Sequence, residues 1–470
     1  MVPLVNDDNN TSQFSPTDVT DNIVSVERIN SDGSTETYLI IFSDGSTTTI
    51  KVTSKLDDSN EEDKEENNEE TVSVTYHLNG GTLPTQYKEV VSLSKGESLN
   101  LSLPEMNNYV FTGWFTGYSV NDKQFYSFEP INNDLDLYAK YEVMDSKDVT
   151  IGDYEYRLVN NTKEAYVLKY NGSENDVNVS STIEYEKTTY NVTKIEESAF
   201  YYVTHIESVV ILDSVLKICK TAFFGCSNLV DLTIGENVRV IDYMAFEACS
   251  KIESLYIPRY VDSINEMVFL DMHSLKKIEV SKENRVYDSR DDSNAIIETS
   301  TNSLVKACMN TTIPESVEHL NDFSMSLSGL KSIFIPKNVS SIGLYTFFYT
   351  TIDLEKIEVS EENTHFDSRE NCNSIIDTST NTIILGCRNS TIPDGVTSIN
   401  QFAFYYCENL KEINIPGSVT EINDNAFQNC HSLENITFNE GLKSIGNSAF
   451  GGCAIINSIK KIKFNAKLQL

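Results

Sequence analysis

From residue 196 onward, apolar side chains recur in one phrase. "AFFGCSNL" (222–229), "AFEACSKI" (245–252), "AFYYCENL" (403–410), "AFQNCHSL" (426–433) and "AFGGCAII" (449–456) share Ala-Phe, a cysteine three positions on, and an apolar residue three beyond that. Phe200, Phe223, Phe246 and Phe269 are spaced 23 residues apart, as are Phe404, Phe427 and Phe450. After each phrase comes a run with strand alternation, as in "LKSIFIPKNV" (330–339) and "LKEINIPGSV" (410–419). A unit this short cannot bury its apolar face alone, whereas stacked units share one continuous core. The period therefore predicts a mainly β solenoid over 196–470.

Two longer units interrupt the step. "NRVYDSRDDSNAIIETSTNSLVKACMNTTIP" (284–314) aligns without gaps on "NTHFDSRENCNSIIDTSTNTIILGCRNSTIP" (363–393). Each carries two short apolar strands around a Thr-Ser-Thr-Asn turn and is expected to form a hairpin set outside the core stack. Residues 150–195 are expected to supply an opening hairpin and the N-terminal cap. At the other end, "INSIKKIKF" (456–464) restates the strand signature, with Ile459, Ile462 and Phe464 inward. Only six residues follow it, so a polar-faced cap is not expected and the last turn should fray.

Upstream the pattern changes. Residues 1–21 are polar and turn-rich, and are expected to be disordered. Residues 22–55 alternate apolar and polar positions around two Asp-Gly turns, which predicts a short β meander. Residues 56–71 read as a self-repelling linker: nine acidic side chains and one lysine fall within 57–70, without the glycine and spaced ligands of a calcium loop. Residues 72–143 predict a compact β-rich module, whose single tryptophan, Trp114, is expected in its core.

Two resemblances follow from these residues. The 72–143 module, with "LNGG", "FTGWF" and "LYAKY" in order, resembles the Listeria–Bacteroides repeat, the internalin-type B repeat. It departs from it at Asn107-Asn108, where a glycine is usual. That resemblance implies a small β-grasp-like module of bacterial surface proteins. The array resembles the BspA-like leucine-rich repeat family over residues 150–464. Its signature Ile-x-x-x-Ala-Phe-x-x-Cys-x-x-Leu-x-x-Ile-x-Ile-Pro is nearly complete at 399–416 and 422–438, while "LNDFSMSLSGL" (320–330) loses the Ala-Phe-Cys set. This second resemblance implies a leucine-rich repeat solenoid linked to attachment to host matrix proteins and to other cells.

Charge narrows the partners. The formal net charge is −34, from 70 acidic and 36 basic residues. Such a field repels phosphate backbones, so no nucleic acid is expected. No apolar run has the length of a membrane span, roughly 18–20 residues, and no signal peptide is visible. Nine cysteines, an odd count without a CxxC, argue against a disulfide framework and against ribbon-type zinc sites.

Cys430-His431 is a candidate for chemistry, since a thiolate nucleophile needs a base within reach. Cys430 shares its register with Cys226, Cys249, Cys407 and Cys453. The next position holds Ser227, Ser250, Glu408, His431 and Ala454. A position that accepts Ser, Glu, His and Ala faces solvent; one that returns to cysteine belongs to a core spine. Rungs ~4.7–4.9 Å apart also exceed the Cβ separation of about 3.5–4.5 Å that a disulfide prefers. Asp288-Ser289-Arg290 recurs as Asp367-Ser368-Arg369, which marks a structural device repeated with its unit. The six histidines form no metal-binding pattern, so no catalytic, cofactor or metal residue is assigned, and no cofactor is expected.

What remains is a surface. In each Leu-x-x-Ile-x-Ile strand the residues between the apolar ones point outward. The central outward position holds Val210, Thr233, Tyr256, Glu279, Phe334, Glu358, Asn414 and Thr437 in succession. Tyr256, Phe334, Val210, Thr233 and Asn414 are the candidate partner-binding residues, with the two aromatics as anchors. Asn423 is expected on the opposite, convex side. The expectation is a monomeric, non-enzymatic adhesion protein, extracellular or on the cell surface. Its partner would be a protein or glycoprotein of the kind found in host extracellular matrix. The alternatives are a structural spacer and, third, an enzyme acting on glycans or peptides.

Overall fold

The computed structural model describes residues 70–454, apart from 84–87, 100, 120–121, 127–129, 266 and 327–329, and the backbone of three strands before them. Those three, Ile23–Ser31, Thr35–Phe42 and Thr47–Thr53, pair antiparallel in that order, with Tyr38 opposite both Arg28 and Ile50. This first unit ends at Glu69, and a second runs from Glu70. The polar segment 1–21, the acidic tract from 57 to 69 and the closing run 456–464 lie outside the described residues.

The second unit begins with a five-stranded mixed sheet. Its spatial order is Val90–Ser94, Thr71–His77, Leu135–Val143, Tyr109–Phe115 and Gln124–Phe125. The period-2 pattern of Thr71–His77 buries Val72, Val74 and Tyr76. Trp114 packs into the same core, its ring 4.6 Å from Tyr76, and its indole N–H donates to the Ser102 carbonyl at 2.8 Å. A buried tryptophan needs such an acceptor.

A regular turn of the array has three sides. One is a strand of three or four residues such as Ser254–Ile257, the second a two-residue strand such as Ser263–Ile264, and the third the Ala-Phe phrase folded into consecutive tight turns. Leu255 and Ile257 point inward while Ser254 and Tyr256 point out, and the next strand pairs in parallel, Leu255 opposite Ile278. Inside, the phenylalanines stack face to face: Phe200 on Phe223 at 4.5 Å, Phe223 on Phe246 at 5.2 Å, Phe404 on Phe427 at 4.7 Å and Phe427 on Phe450 at 5.1 Å. The alanine before each leaves room for the neighbouring ring. The turns are also bonded to one another, Phe223 N–H to the Ala245 carbonyl at 2.8 Å and Phe427 N–H to that of Ala449 at 2.7 Å.

At the N-terminal end the antiparallel strands Ser146–Ile151, Tyr154–Val159 and Glu164–Tyr170 pair on through Thr188–Ile195 into the sheet of two-residue strands. The unit without the Ala-Phe-Cys set keeps the same turn. Ser324 and Met325 fill the places of alanine and phenylalanine, both buried, and Ser324 N–H reaches the Asn321 carbonyl as Ala403 N–H reaches that of Asn400.

The two hairpins differ from expectation: they lie within the stack. Ala295–Glu298 pairs antiparallel with Ser303–Ala307, which then pairs in parallel with His319–Leu320 and so occupies a rung of the two-residue-strand side. Ser374–Asp377, Thr382–Gly386 and Ser398–Ile399 repeat this. All five residues of Ser303–Ala307 are buried. Strands apolar on both faces, such as "AIIE" and "SIID", need cover on both faces, and only a place inside the sheet supplies it.

Candidate partner-binding surface

The outward positions of the long-strand side form an interrupted ribbon. Val210 and Thr233 lie opposite each other, Tyr256 opposite Glu279, Phe334 opposite Glu358, and Asn414 opposite Thr437. Tyr256 is 40% exposed and Phe334 48%, so the hairpins do not fold over these rings. Thr233 and Asn414 are exposed too, while Val210 is half-buried between Thr233 and the added strand Asp176–Val179. Each aromatic meets a charged pair in the next turn: Lys277 on Glu279 at 3.0 Å beside Tyr256, and Lys356 on Glu358 at 2.8 Å beside Phe334.

The structure does not gather the five candidates into one patch. Val210 with Thr233, Tyr256, Phe334 and Asn414 stand on four separate pieces of parallel sheet, and the hairpins divide the last three. Where the first hairpin meets the ribbon, a groove of about 1120 Å³ opens beside Tyr256, lined also by Lys277, Glu279, Lys282, Arg290 and Asn294. Its walls are fixed from within. Asn294 accepts the Ile278 N–H at 2.8 Å, and Arg290 chelates Asp288 while donating to Asn302 at 2.8 Å. Arg369, Asp367 and Asn381 rebuild that brace in the second hairpin, which accounts for the recurring Asp-Ser-Arg.

Cys430 and His431 point apart. The thiol is fully buried, and its contact with Cys453, reinforced by burial, pushes it well above the ordinary range of a cysteine. The imidazole is exposed and lies 3.6 Å from Glu408. All nine cysteines are free and buried. Cys226, Cys249, Cys430 and Cys453 each stand 3.0–3.2 Å from a phenylalanine carbonyl one turn back. Among the described residues no cluster of histidine, cysteine and carboxylate side chains could hold a metal, and no helix is long and apolar enough to cross a membrane.

A second surface was missed in the sequence. On the Ala-Phe side, Phe323 stacks on Tyr345 at 5.4 Å and Phe348 on Tyr405 at 5.0 Å. Phe402 lies 5.6 Å from Tyr345, and Tyr349 lies 5.1 Å from Tyr406. These rings are half-buried. A smaller group repeats the theme, Tyr201 on Phe224 at 5.2 Å with Tyr202 beside them. The signal was a second and third aromatic directly after the core phenylalanine, in "AFYY" and "TFFY".

The 72–143 module is seated on the array. Glu105 bridges Lys194 at 3.0 Å and Lys217 at 2.9 Å, on two successive turns. Burial opposes its ionisation, but the two ammonium groups prevail and hold its carboxyl down at about 2.

Comparison with known proteins places both parts. The Listeria-Bacteroides repeat domain matches residues 73–140. None of the curated proteins compared matches the chain. Among solved structures, a leucine rich cell surface protein from Faecalibacterium prausnitzii is 23% identical, with 66% of this chain and 80% of that one covered and a TM-score of 0.45. The pneumococcal vaccine antigen PcpA is 18% identical over 63% of this chain and 71% of its own, TM-score 0.38. A leucine-rich repeat protein from Eubacterium ventriosum is 18% identical over 66% and 96%, TM-score 0.41. Six copies of the BspA type leucine rich repeat region match residues 193–300, 291–377 and 385–469, more than half of the chain, which therefore belongs to that repeat family.

Proposed function

We propose that this is a non-enzymatic binding protein of a bacterial surface, whose ribbon presents Tyr256 and Phe334 to a protein or glycoprotein partner such as a host matrix protein. One observation carries the reading. Both rings stand open in the central outward position, each beside a lysine–glutamate pair, where a merely solvated ribbon would carry threonine or charge. Large aromatics rimmed by polar groups dominate binding hot spots once a partner covers them. Membership of a leucine-rich repeat family supports binding over catalysis.

The test is binding to a panel of immobilised matrix proteins. Tyr256→Ala and Phe334→Ala should each weaken capture by about 1–3 kcal/mol without unfolding the array, and Asn423→Ala should do little. If both aromatic variants bind like the wild type, the ribbon is the wrong surface.

A further inference from the structure

We propose that the aromatic belt on the Ala-Phe side docks a basic segment of a protein partner, whose arginine or lysine side chains stack on its rings. This surface is distinct from the ribbon.

The first ground is where the rings sit. The position two after each core phenylalanine has a left-handed backbone in every described turn. Gly225, Ala248, Asp271, Asn429 and Gly452 hold it at φ of 71°, 59°, 58°, 62° and 76°. Glycine, asparagine and aspartate are the residues that tolerate this conformation, and a bulky one there is an outlier. Yet Tyr202, Tyr349 and Tyr406 occupy it at 54°, 63° and 57°, and Phe323 and Phe402 are left-handed too, at 60° and 63°. The tyrosines do not belong to the array's buried core: Tyr202 is 58% exposed, and Tyr349 and Tyr406 are half-exposed. Strain held at a surface that asparagine would relieve points to function there.

The second ground is charge. Elsewhere the chain covers its own rings with cations: Lys140 lies over Phe115, Lys147 over Tyr185, Lys194 over Tyr166 and Arg259 over Tyr260. Among the described residues no lysine or arginine covers a belt ring. Carboxylates border it instead. Glu408 is 3.6 Å from His431, whose ring meets Tyr406 at 6.3 Å. Burial, joined by Tyr406 and Asp271, raises the Tyr349 hydroxyl; burial and Asp271 raise the Glu247 carboxyl to about 7, and Asp271 also acts on the buried Lys306 ammonium. One Glu247 oxygen is buried with no hydrogen-bond partner. Ring faces edged by crowded carboxylates fit a cation stacked over the ring, and a net charge of −34 steers basic partners in.

The experiment uses the full chain and an arginine–glycine repeat peptide, with the lysine and glutamate counterparts as comparison probes. The double variant Tyr349→Asn/Tyr406→Asn keeps every charge and suits the left-handed positions. It is expected to bind the arginine peptide about tenfold or more weakly, while its thermal midpoint holds or rises. The glutamate peptide should not bind. Wild-type affinity in the double variant would show that net charge alone captures the peptide, and overturns the proposal. So does a lowered midpoint, which would make the rings structural packing, and so does equal binding of the glutamate peptide. Matrix-protein capture, measured in parallel, should follow Tyr256 and Phe334 rather than the belt, so the two readings fail by separate results.

Discussion

The Sγ of Cys430 stands 3.1 Å from the backbone carbonyl oxygen of Phe404, one turn back in the array. The cysteine that recurs in this family of turns is therefore a tie between rungs as well as core filling. Thr350, which replaces it in the turn at 347–350, donates its hydroxyl to the Met325 carbonyl at 2.5 Å. A thiol is a weak donor that tolerates full burial, which suits a site with one acceptor and no water.

Threonine and valine at position 430 separate the tie from the packing. They have the same shape, and only one can donate. Cys430→Val should lose about 1 kcal/mol more stability than Cys430→Thr, read from denaturation midpoints at unchanged slope. Equal losses would reduce the cysteine to a filler. The same protein, native, should resist thiol labelling until it is unfolded.

Gly386 joins the second hairpin to the Ala-Phe side, its N–H donating to the Ala403 carbonyl at 2.8 Å. A Cβ there would lie 2.1 Å from the Phe404 ring, which is fully buried. Gly386→Ala should cost about 1–3 kcal/mol by overpacking. The first hairpin has Ala307 in the same place, with Ser324 and Met325 facing it in place of alanine and phenylalanine. Ala307→Gly should accordingly cost far less than the strain at 386. Thermal midpoints of the two variants settle the comparison.

Lys306 is 3% exposed and donates to the Ser326 carbonyl at 3.3 Å. Burial drives its ammonium down from 10.5 to about 8, against the opposing pull of Asp271. Between about pH 8 and 10.5 the unfolded chain holds a proton there that the folded chain has released, so stability should rise with pH across that window. The second hairpin carries Leu385 at this position, so the fold does not require the amine. Lys306→Leu should remove the pH-dependent increment, and chemical denaturation at several pH values would reveal it.

Glu105 tests the seat of the N-terminal module. Its folded value of about 2 lies below the ordinary 4.5, so the contact with Lys194 and Lys217 contributes in full above about 4.5 and is lost as pH falls toward 2. Hydrogen exchange at residues 103–109 should accelerate over that range while the module's own core stays protected. Glu105→Lys should give the same acceleration at neutral pH. Unchanged exchange in that variant would mean that packing alone holds the module.

Much of the architecture was legible because it repeats. A 23-residue step taken five times among seven aligned phenylalanines averages out local exceptions, and strand alternation then assigns Leu255 inward and Tyr256 outward without a structure. The same averaging separated Cys430 from His431. The candidate site was legible one residue at a time: Tyr256 and Phe334 are exposed as the alternation requires, while Val210 is half-covered by the Asp176–Val179 strand, whose register no local pattern announces.

Sequence alone determined the solenoid, its inward spine and its outward ribbon, because each depends on spacing within a single turn. The tertiary structure decided what meets across turns. The hairpins entered the stack because strands apolar on both faces need cover on both. The second hairpin adds a rung on the two-residue-strand side while Phe348 and Tyr405 close to 5.0 Å on the Ala-Phe side, so rings far apart in the chain become one belt. Glu105 found Lys194 and Lys217 by the same route. In a chain with 70 acidic and 36 basic residues, which charges pair is fixed by how the folded surfaces fit, and no periodicity encodes it.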